Sequence, residues 1–448
     1  SVLAQHSIIN HIISFMTAIG ALIGLLVSVL LIIKKISPVY SLIAGAIVGG
    51  LLGGLSLTET VEVMTDGVKD VTPAIIRILT AGVLSGVLIK TGAATTISNA
   101  IINTLGEKRV FVALALATML LCAVGVFIDV AVITVAPIAL SIGKRLGLSP
   151  SVLLIAMVGG GKCGNIVSPN PNTIIAAENF KADLSSVMFY NILPAIIGLV
   201  FTVFVIIRLI PRKLTIVAPG QEEITDDKQL PSLTSSLVAP FVTIILLALR
   251  PLTGITIDPL IALPIGGICG ILCMKQWKNI LPSMEYGLQK MSTVAVLLIG
   301  TGTIAGVIKN STLKDWILQL LEQAHFNEIM IAPVSGALMS AATASTTAGA
   351  TLASASFAET ILAVGISAVW GAAMINSSAT VLDHLPHGSF FHATGGVCEL
   401  TFKQRLKLIP YETLIGVVLA ASTTLLCLVW TNARFFAATG RTKIHTQK

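Results

Sequence analysis

Charged side chains are scarce in this chain of 448 residues. Asp, Glu, Lys and Arg together make up 11% of the sequence, whereas a typical soluble domain contains about 25%. Apolar residues make up 54%, and the mean hydropathy is +0.93. A water-soluble protein could not bury that much apolar surface. The composition therefore excludes a soluble enzyme, a disordered chain and a secreted disulfide scaffold, and it predicts an all-α polytopic membrane protein in lipid.

Several motifs are absent as well. No G-x-x-x-x-G-K-[ST] motif occurs, which argues against an ATP-driven pump. Neither H-E-x-x-H nor G-x-S-x-G occurs, so nothing favours a membrane enzyme. The six cysteines show no paired metal-ligand spacing, and we expect neither a metal nor a cofactor. The excess of Lys and Arg, 28 against 21 acidic residues, lies in short clusters between apolar runs, so no nucleic-acid partner is expected.

Eight apolar runs are predicted to form membrane-spanning helices, which need about 20 residues, although the runs 235–250 and 258–274 are short. They are 12–33, 40–57, 72–90, 188–209, 235–250, 258–274, 292–309 and 409–431. Basic clusters orient them, at Lys34-Lys35, Lys108-Arg109, Lys144-Arg145, Arg208 with Arg212-Lys213, Lys275 with Lys278, and Lys403, Arg405 and Lys407. Placing these clusters in the cytoplasm gives an extracytoplasmic N-terminus. Arg77 and Lys90, near span ends, are expected to reach the membrane interface.

Two apolar stretches do not fit simple crossings. Residues 110–143 have basic clusters at both ends and a break at Gly125–Asp129, which predicts a re-entrant helical hairpin. A helix at 151–158 then runs into residues 159–172, which contain four glycines, two prolines and three asparagines. Such a segment predicts a broken helix. Within a membrane, unwound backbone is tolerated only beside protein or a water-filled cavity.

The second half of the chain repeats this plan. Another hairpin is predicted at 328–363, with its break at 344–349, and a helix at 365–375 runs into a second polar break at 376–388. Glycines recur at an offset of 220, in the pairs Gly67 with Gly287, Gly82 with Gly302, and Gly86 with Gly306. Two repeats of opposite orientation, each with a hairpin and a broken helix, are typical of secondary transporters.

The predicted organisation is therefore two inverted-topology repeats. The first covers 1–210, with hairpin 110–143 and broken helix 151–185, and a cytoplasmic linker follows at 211–233. The second covers 234–432, with hairpin 328–363 and broken helix 365–402. The polar tail at 433–448 carries four basic residues, which alone would favour the cytoplasm, so the side of the C-terminus stays open.

The predicted substrate site lies where hairpin tips and helix breaks meet near the middle of the membrane. Its candidate substrate-binding residues are Lys162, Gly164, Asn165, Ser168, Asn170, Asn172, Ser345, Thr346, Thr347, Asn376, Ser377, Ser378 and Thr380. Lys162 would pair with a substrate carboxylate, or with Asp129 in a structural ion pair. The candidate proton carriers are Asp129, Asp383 and His384, because ionisable groups inside a membrane are costly and functional by default. The alternative for each polar side chain is that it only caps a broken helix.

These segments resemble the gluconate permease (GntP) family of the ion transporter superfamily. Residues 383–391, followed by Thr401 and Glu412-Thr413, are similar to the family's S-H-V-N-D-x-G-F-W…T…E-T signature. Residues 126–130 resemble F-F-E-V, 167–171 resemble L-P-P-H-P, and 344–351 resemble G-S-A-T-V-A. The segment 162–165 departs from the familiar T-H-G pattern, so the expectation concerns a substrate class rather than gluconate itself.

The resemblance implies a symporter of the bacterial plasma membrane that imports a small organic anion, such as gluconate or a related hydroxy acid. It further implies proton coupling, a homodimer and an elevator mechanism. Two alternatives remain open at this point. One is a sodium-coupled dicarboxylate or citrate carrier, and the other is a sodium/proton antiporter of the same superfamily.

Overall fold

The regular elements of the protein are all helices in the residues that the structure, a computed structural model, describes. These residues are 17–211, 230–253, 255, 257–324, 327–386 and 388–442. The all-α prediction is confirmed for this part of the chain. The first residues of the predicted span 12–33, most of the predicted linker 211–233 and the end of the tail 433–448 lie outside it.

The first half contains ten labelled helices. They are α1 (Ala18–Ile33), α2 (Pro38–Leu52), α3 (Leu57–Lys90), α4 (Ala93–Leu105), α5 (Val110–Ala123), α6 (Ile128–Leu146), α7 (Pro150–Asn165), α8 (Pro171–Asn179), α9 (Leu184–Tyr190) and α10 (Ile192–Phe201). A π-helical stretch at Thr202–Ile206 and a last turn at Ile207–Leu209 continue α10. A 3-10 turn at Glu107–Arg109 precedes α5.

The second half begins with a short helix at Leu233–Ser236 and contains ten further labelled helices. They are α11 (Val238–Thr253), α12 (Pro259–Cys273), α13 (Ile280–Lys309), α14 (Leu313–Ala324), α15 (Ile331–Thr343), α16 (Thr346–Ala363), α17 (Ala368–Ser378), α18 (Ser389–Val397), α19 (Phe402–Leu406) and α20 (Ile409–Thr442). 3-10 turns at Trp277–Asn279 and Glu328–Met330 precede α13 and α15.

Helix boundaries recur between the halves. The bounds of α1 and α11 differ by 220 positions at both ends, and the starts of α4 and α14 differ by 220 as well. Beyond the hairpins the spacing shifts slightly, since the bounds of α8 and α18 differ by 218 at both ends. The element order is therefore duplicated along the chain.

The helices α3 and α13 form the longest contact of the fold and run antiparallel. A Cβ atom added at Gly67 would lie 2.1 Å from the carbonyl oxygen of Gly302, and one at Gly82 would lie 2.7 Å from that of Gly287. Backbones can approach this closely only where both helices carry glycine. The glycines repeated in the sequence thus meet one another in space.

Four stretches are long and apolar enough to cross a membrane, judged by length and composition within the described residues: Leu57–Lys90, Leu184–Leu209, Trp277–Lys309 and Phe402–Thr431. The predicted span 72–90 is too short, because α3 begins at a capping box between Ser56 and Glu59. The first half of α3 is polar, so the apolar run in the sequence covers only its second half. The span 292–309 is likewise the second part of the longer α13.

The chain breaks its helices near the predicted hairpin tips. The helix α5 ends at Ala123 and α6 starts at Ile128, with Gly125 between them at φ +103°. In the second half α15 ends at Thr343, Ala344 has φ +46°, and α16 starts at Thr346. Left-handed backbone stops a helix abruptly, which allows the next helix to start within a few residues.

The predicted break at 159–172 is too long. The helix α7 continues to Asn165, which leaves residues 166–170 unwound. The glycines inside α7 serve close packing instead, because a Cβ at Gly160 would lie 1.9 Å from the carbonyl oxygen of Ala115 on α5. The second break is also shorter than the predicted 376–388, since α17 continues to Ser378.

Candidate substrate cavity

A cavity of about 670 Å³ lies where both hairpin tips meet the two broken helices. The first hairpin contributes Phe127, Ile128 and Asp129, and the second contributes Ala344 to Thr347. The broken helices contribute Asn165 and Asp383. The remaining wall is formed by Ser37 to Val39, Lys290, Ser292 to Val294, Val296, Leu297, Ser389 and Phe390.

Two helix N-termini reach this cavity. Asp129 lies in the first turn of α6, and Thr346 and Thr347 lie in the first turn of α16, where Ser345 accepts a hydrogen bond from Ala348 N. Free N–H groups at a helix start favour negative charge. The first N-terminus carries the Asp129 carboxylate in its own first turn, whereas the second has hydroxyl groups, and one of these, Thr346 Oγ1, donates to the Asp383 carboxylate.

Lys162 lies behind the cavity and is fully buried. Its ammonium donates to Asp383 Oδ1 at 2.5 Å, to the carbonyl oxygen of Thr380, and to His384 Nδ1 at 3.2 Å. A lysine ammonium has three hydrogens, so these acceptors use its full donor capacity. The predicted ion pair between Lys162 and Asp129 is wrong, because Asp383 comes closer from the second break.

His384 is held on both sides of its ring. Nε2 lies 3.1 Å from the carbonyl oxygen of Ile409 and 3.1 Å from Thr413 Oγ1. A carbonyl only accepts, so Nε2 carries the hydrogen, and Nδ1 accepts from Lys162. Asp383 is fixed in turn, because Thr346 donates to its Oδ2 at 2.6 Å. The carboxylate therefore joins the second hairpin tip to the ammonium of the first broken helix.

An amide network connects the two broken helices. Asn172 Nδ2 donates to Asn376 Oδ1 at 2.7 Å, and Asn376 Nδ2 donates to the Ile166 carbonyl at 3.0 Å and to Thr173 Oγ1 at 3.2 Å. All of these side chains are buried. Both amides bond to protein groups and neither lines the cavity, so the network holds the breaks together.

Two buried oxygens near the first break have no protein partner in the described residues. They are Ser168 Oγ and Asn170 Oδ1, and both side chains are at most 1% exposed. The amide of Asn170 donates to Asn165 Oδ1 at 2.8 Å, so its oxygen points away from that bond. A buried polar atom without a partner costs about 1–3 kcal/mol, so each of these oxygens is suited to a water or a cation.

The structure brings six of the predicted site residues to the cavity wall: Asp129, Asn165, Ser345, Thr346, Thr347 and Asp383. The other ten lie outside the lining and are buried or packed within helices: Lys162, Gly164, Ser168, Asn170, Asn172, Asn376, Ser377, Ser378, Thr380 and His384. Several of these hydroxyls bond their own helix, as Thr380 does to the Ser377 carbonyl at 2.7 Å. A Cβ at Gly164 would lie 2.1 Å from the carbonyl oxygen of Met119.

Sequence reasoning missed Lys290, which lines the cavity from α13. The search for site residues followed helix breaks, and α13 is unbroken. Lys290 also lies just before the predicted span 292–309, where a cation is ordinary. Its place in the helix gave no sign of a cavity-facing role.

A second polar cluster lies on another face of the fold. Arg77 of α3 donates to both oxygens of Asp258, which precedes α12, with Nη2 2.8 Å from Oδ2, and it also pairs with Glu178 of α8. Arg77 thus binds two acids, one on each side of its guanidinium, and its place at the membrane interface stays a prediction. A small cavity of about 130 Å³ adjoins these three residues.

Arg405 is another cation that pairs with an acid. It belongs to the basic cluster used for orientation, but it is 1% exposed and forms a bidentate pair with the buried Glu412, so its charge is neutralised inside the protein. Arg405 Nη2 also donates to Thr394 Oγ1 at 3.2 Å. The pair joins α19 to the start of α20, and the bond to Thr394 adds α18, so Thr413 is positioned against His384.

Long apolar helices around a polar cavity define a multi-pass membrane transporter. A family described as GntP family permease matches residues 16–263, and the chain belongs to this family. The family predicted from the sequence is therefore confirmed, and the protein is a permease rather than an enzyme. Residues 235–324 also match a family described as Na+-H+ antiporter family.

The relatives are transporters. An uncharacterized transporter of Haemophilus influenzae is 53% identical over 83% of this chain and 88% of its own length. The D-serine transporter DsdX of Escherichia coli K12 is 24% identical over 50% of this chain and 56% of its own. The L-idonate transporter of the Gnt-II system of Escherichia coli K12 is 22% identical over 62% and 68%.

A solved structure shares the fold. The YdaH transporter of Alcanivorax borkumensis superposes with a TM-score of 0.60 and covers 84% of this chain and 90% of its own. Its sequence is 14% identical, so the likeness concerns the fold alone.

Proposed function

We propose that this permease imports a small hydroxylated organic acid, a sugar acid or related hydroxy acid, together with protons. The observation that carries the proposal is the cavity at which both hairpin tips meet, with one unpaired carboxylate in its wall. Hydroxyl and amide groups at Asn165, Ser345 and Thr347 suit a polyhydroxylated solute. Relatives named for L-idonate and D-serine, both small hydroxylated acids, support the same class.

Asp129 is the proton carrier in this proposal. Of the two carboxylates that line the cavity, Asp383 is bound to Lys162 and Thr346. Asp129 has no hydrogen bond or ion pair with any described residue and lies at a hairpin tip. Protonation of Asp383 would leave the buried Lys162 ammonium without its partner, whereas a proton on Asp129 breaks no ion pair. Because the inside of the cell is electrically negative, uphill uptake of an anion needs a co-transported cation such as this proton.

We further propose inverted repeats that work by an elevator motion. Gly67 corresponds to Gly287 in the other half, and Gly302 corresponds to Gly82. Gly67 contacts Gly302, and their two counterparts contact each other in the same way. A two-fold axis across antiparallel helices exchanges each glycine for its counterpart, which supports an axis in the membrane plane. The hairpins and broken helices would then move as one body against α3 and α13, within a homodimer.

The positive-inside rule supports an extracytoplasmic N-terminus and assigns the Lys34-Lys35 turn to the cytoplasm. Ser37 and Pro38, which follow that turn, line the cavity. The cavity therefore opens toward the cytoplasm, and the structure corresponds to an inward-open state in this proposal. We place the protein in the bacterial plasma membrane, because the relatives are transporters of bacteria.

Sodium coupling is the second candidate. The match of residues 235–324 to a Na+-H+ antiporter family favours it, as do the unpartnered oxygens of Ser168 and Asn170. Hard cations bind such neutral oxygen ligands. The same observations would suit a sodium-coupled carrier or an antiporter.

One experiment separates these functions. Uptake of labelled gluconate, L-idonate and D-serine is measured in proteoliposomes, with a pH gradient and a sodium gradient imposed separately. The proposal predicts accumulation of at least one acid on a pH gradient without sodium. Accumulation on sodium alone would replace it with the sodium-coupled carrier, and sodium–proton exchange without solute uptake would replace it with the antiporter.

A further inference from the structure

The ammonium of Lys162 is unable to meet a substrate in this structure. Its three hydrogens go to Thr380, Asp383 and His384, and the side chain is fully buried. A substrate carboxylate would have to displace Asp383, which Thr346 also holds. The cation that recognises the substrate must therefore come from elsewhere in the cavity wall.

Lys290 is the one cation among the described residues that line the cavity. It is exposed, and no acidic side chain of the described residues pairs with it. Its Nζ lies 5.7 Å from the ring centroid of Tyr286, and Lys90 Nζ lies 5.0 Å from the same ring. Tyr286 and Lys90 lie outside the cavity lining, so the positive charge of this wall comes from Lys290.

The rest of the wall sets the orientation of an acid. Asp129 repels a carboxylate at the first hairpin tip. At the second tip Lys162 neutralises the Asp383 carboxylate, so the N-terminus of α16 at Thr346 and Thr347 still attracts an acid. An acid would thus turn its hydroxyl groups to Asn165 and Asp129. Its carboxylate would face Lys290 and the second hairpin tip.

We propose that Lys290 is the residue that selects substrates bearing a carboxylate, and that Lys162 only positions Asp383. The assignment rests on the proposed transport of small organic acids and adds the residue that recognises the acid group. Lys290 contributes one ion pair to binding, and the ion pair of an exposed lysine is weak.

Uptake kinetics of Lys290→Gln test the assignment, with whichever of gluconate, L-idonate or D-serine the wild type transports. We expect KM for that acid to rise about fivefold with little change in maximal rate, because a uniform binding contact is lost. Lys290→Arg, which retains the charge, should restore the wild-type KM. Lys278→Gln is the matched control, since Lys278 is exposed on a neighbouring turn and does not line the cavity.

Selectivity gives a second readout that a folding defect would not imitate. If gluconate is the transported acid, the wild type should prefer it to glucitol, its uncharged counterpart, as a competitor, and Lys290→Gln should narrow that preference. With L-idonate or D-serine, the corresponding alcohol takes the place of glucitol. An unchanged KM and preference in Lys290→Gln would overturn the Lys290 assignment and leave the proposed function standing. If the wild type transports none of the three acids, the proposed function fails, and the assignment fails with it.

Discussion

The ammonium of Lys162 lies 2.5 Å from the carboxylate of Asp383, although 221 positions separate the two residues. Lys162 belongs to the end of the first broken helix, and Asp383 belongs to the second break. Both side chains are at most 3% exposed. The two charges, one from each half of the chain, therefore neutralise each other beneath the cavity. The pair orients a carboxylate that also forms part of the wall.

This buried pair predicts an asymmetric response to mutation. Lys162→Met leaves Asp383 buried without its partner, which costs about 3–5 kcal/mol. The double variant Lys162→Met/Asp383→Leu should recover much of that loss, because no unpaired charge remains. The midpoint of thermal unfolding in detergent micelles checks both variants.

The matched control for this pair is Lys309→Met, which breaks the exposed pair with Asp70. Its effect should stay under about 1 kcal/mol. A single Lys162 variant as stable as this control would show that the buried pair does not hold the two breaks in place.

The glycines of α7 predict a packing defect. Gly160→Ala would place a Cβ 1.9 Å from the carbonyl oxygen of Ala115, so α5 and α7 must separate. Overpacking of this kind costs about 1–3 kcal/mol and should lower the unfolding midpoint. Gly396→Ala is the control, because nothing lies within 4 Å of its Cβ position. Equal midpoints for the two variants would contradict the close approach of α5 and α7.

The cluster around Arg77 tests the elevator proposal. Glu178 lies on α8, which packs on α16 and α17, whereas Arg77 and Asp258 belong to α3 and the start of α12, which pack on each other. An elevator motion would break the Arg77–Glu178 pair and keep the Arg77–Asp258 pair. Glu178→Gln should then destabilise the present state by up to about 1 kcal/mol, a population shift of about fivefold.

Labelling of a single cysteine measures that shift. Ser292→Cys, in a background without Cys269 and Cys273, places a thiol in the cavity wall for a membrane-impermeant maleimide. Glu178→Gln should reduce labelling from the cytoplasmic side. Asp66→Asn serves as control, because it breaks an exposed pair with Lys69 within α3. If Glu178→Gln and the control label alike, the pair does not bias the motion.

Much of the fold could be predicted because long apolar runs indicate membrane helices. The hairpin breaks at Gly125 and Ala344 and the recurrence at 220 positions were also visible in the sequence. The glycines at 159–161 misled the boundary prediction, because glycine serves both helix ends and close packing, and only the neighbouring Ala115 decides between them.

The site was less predictable than the fold. Composition flagged Asp129, Lys162 and Asp383 as costly charges in a membrane, but it could not pair them. Which acid pairs with Lys162 depends on how the two breaks pack together in space. The sequence offered one candidate from each half, Asp129 and Asp383. Lys290 and the Arg77 cluster gave no local signal, since a lysine or arginine near a helix end is common.

Substrate-driven proton movement tests the central claim most directly. Proteoliposomes with a trapped pH indicator, at equal pH on both sides, receive the transported acid from outside, and inward symport should acidify the interior. Asp129→Asn should abolish the acidification yet retain exchange of labelled for unlabelled acid at equal pH. Proton entry in Asp129→Asn as large as in the wild type, or wild-type uptake that moves sodium and no protons, would contradict the account.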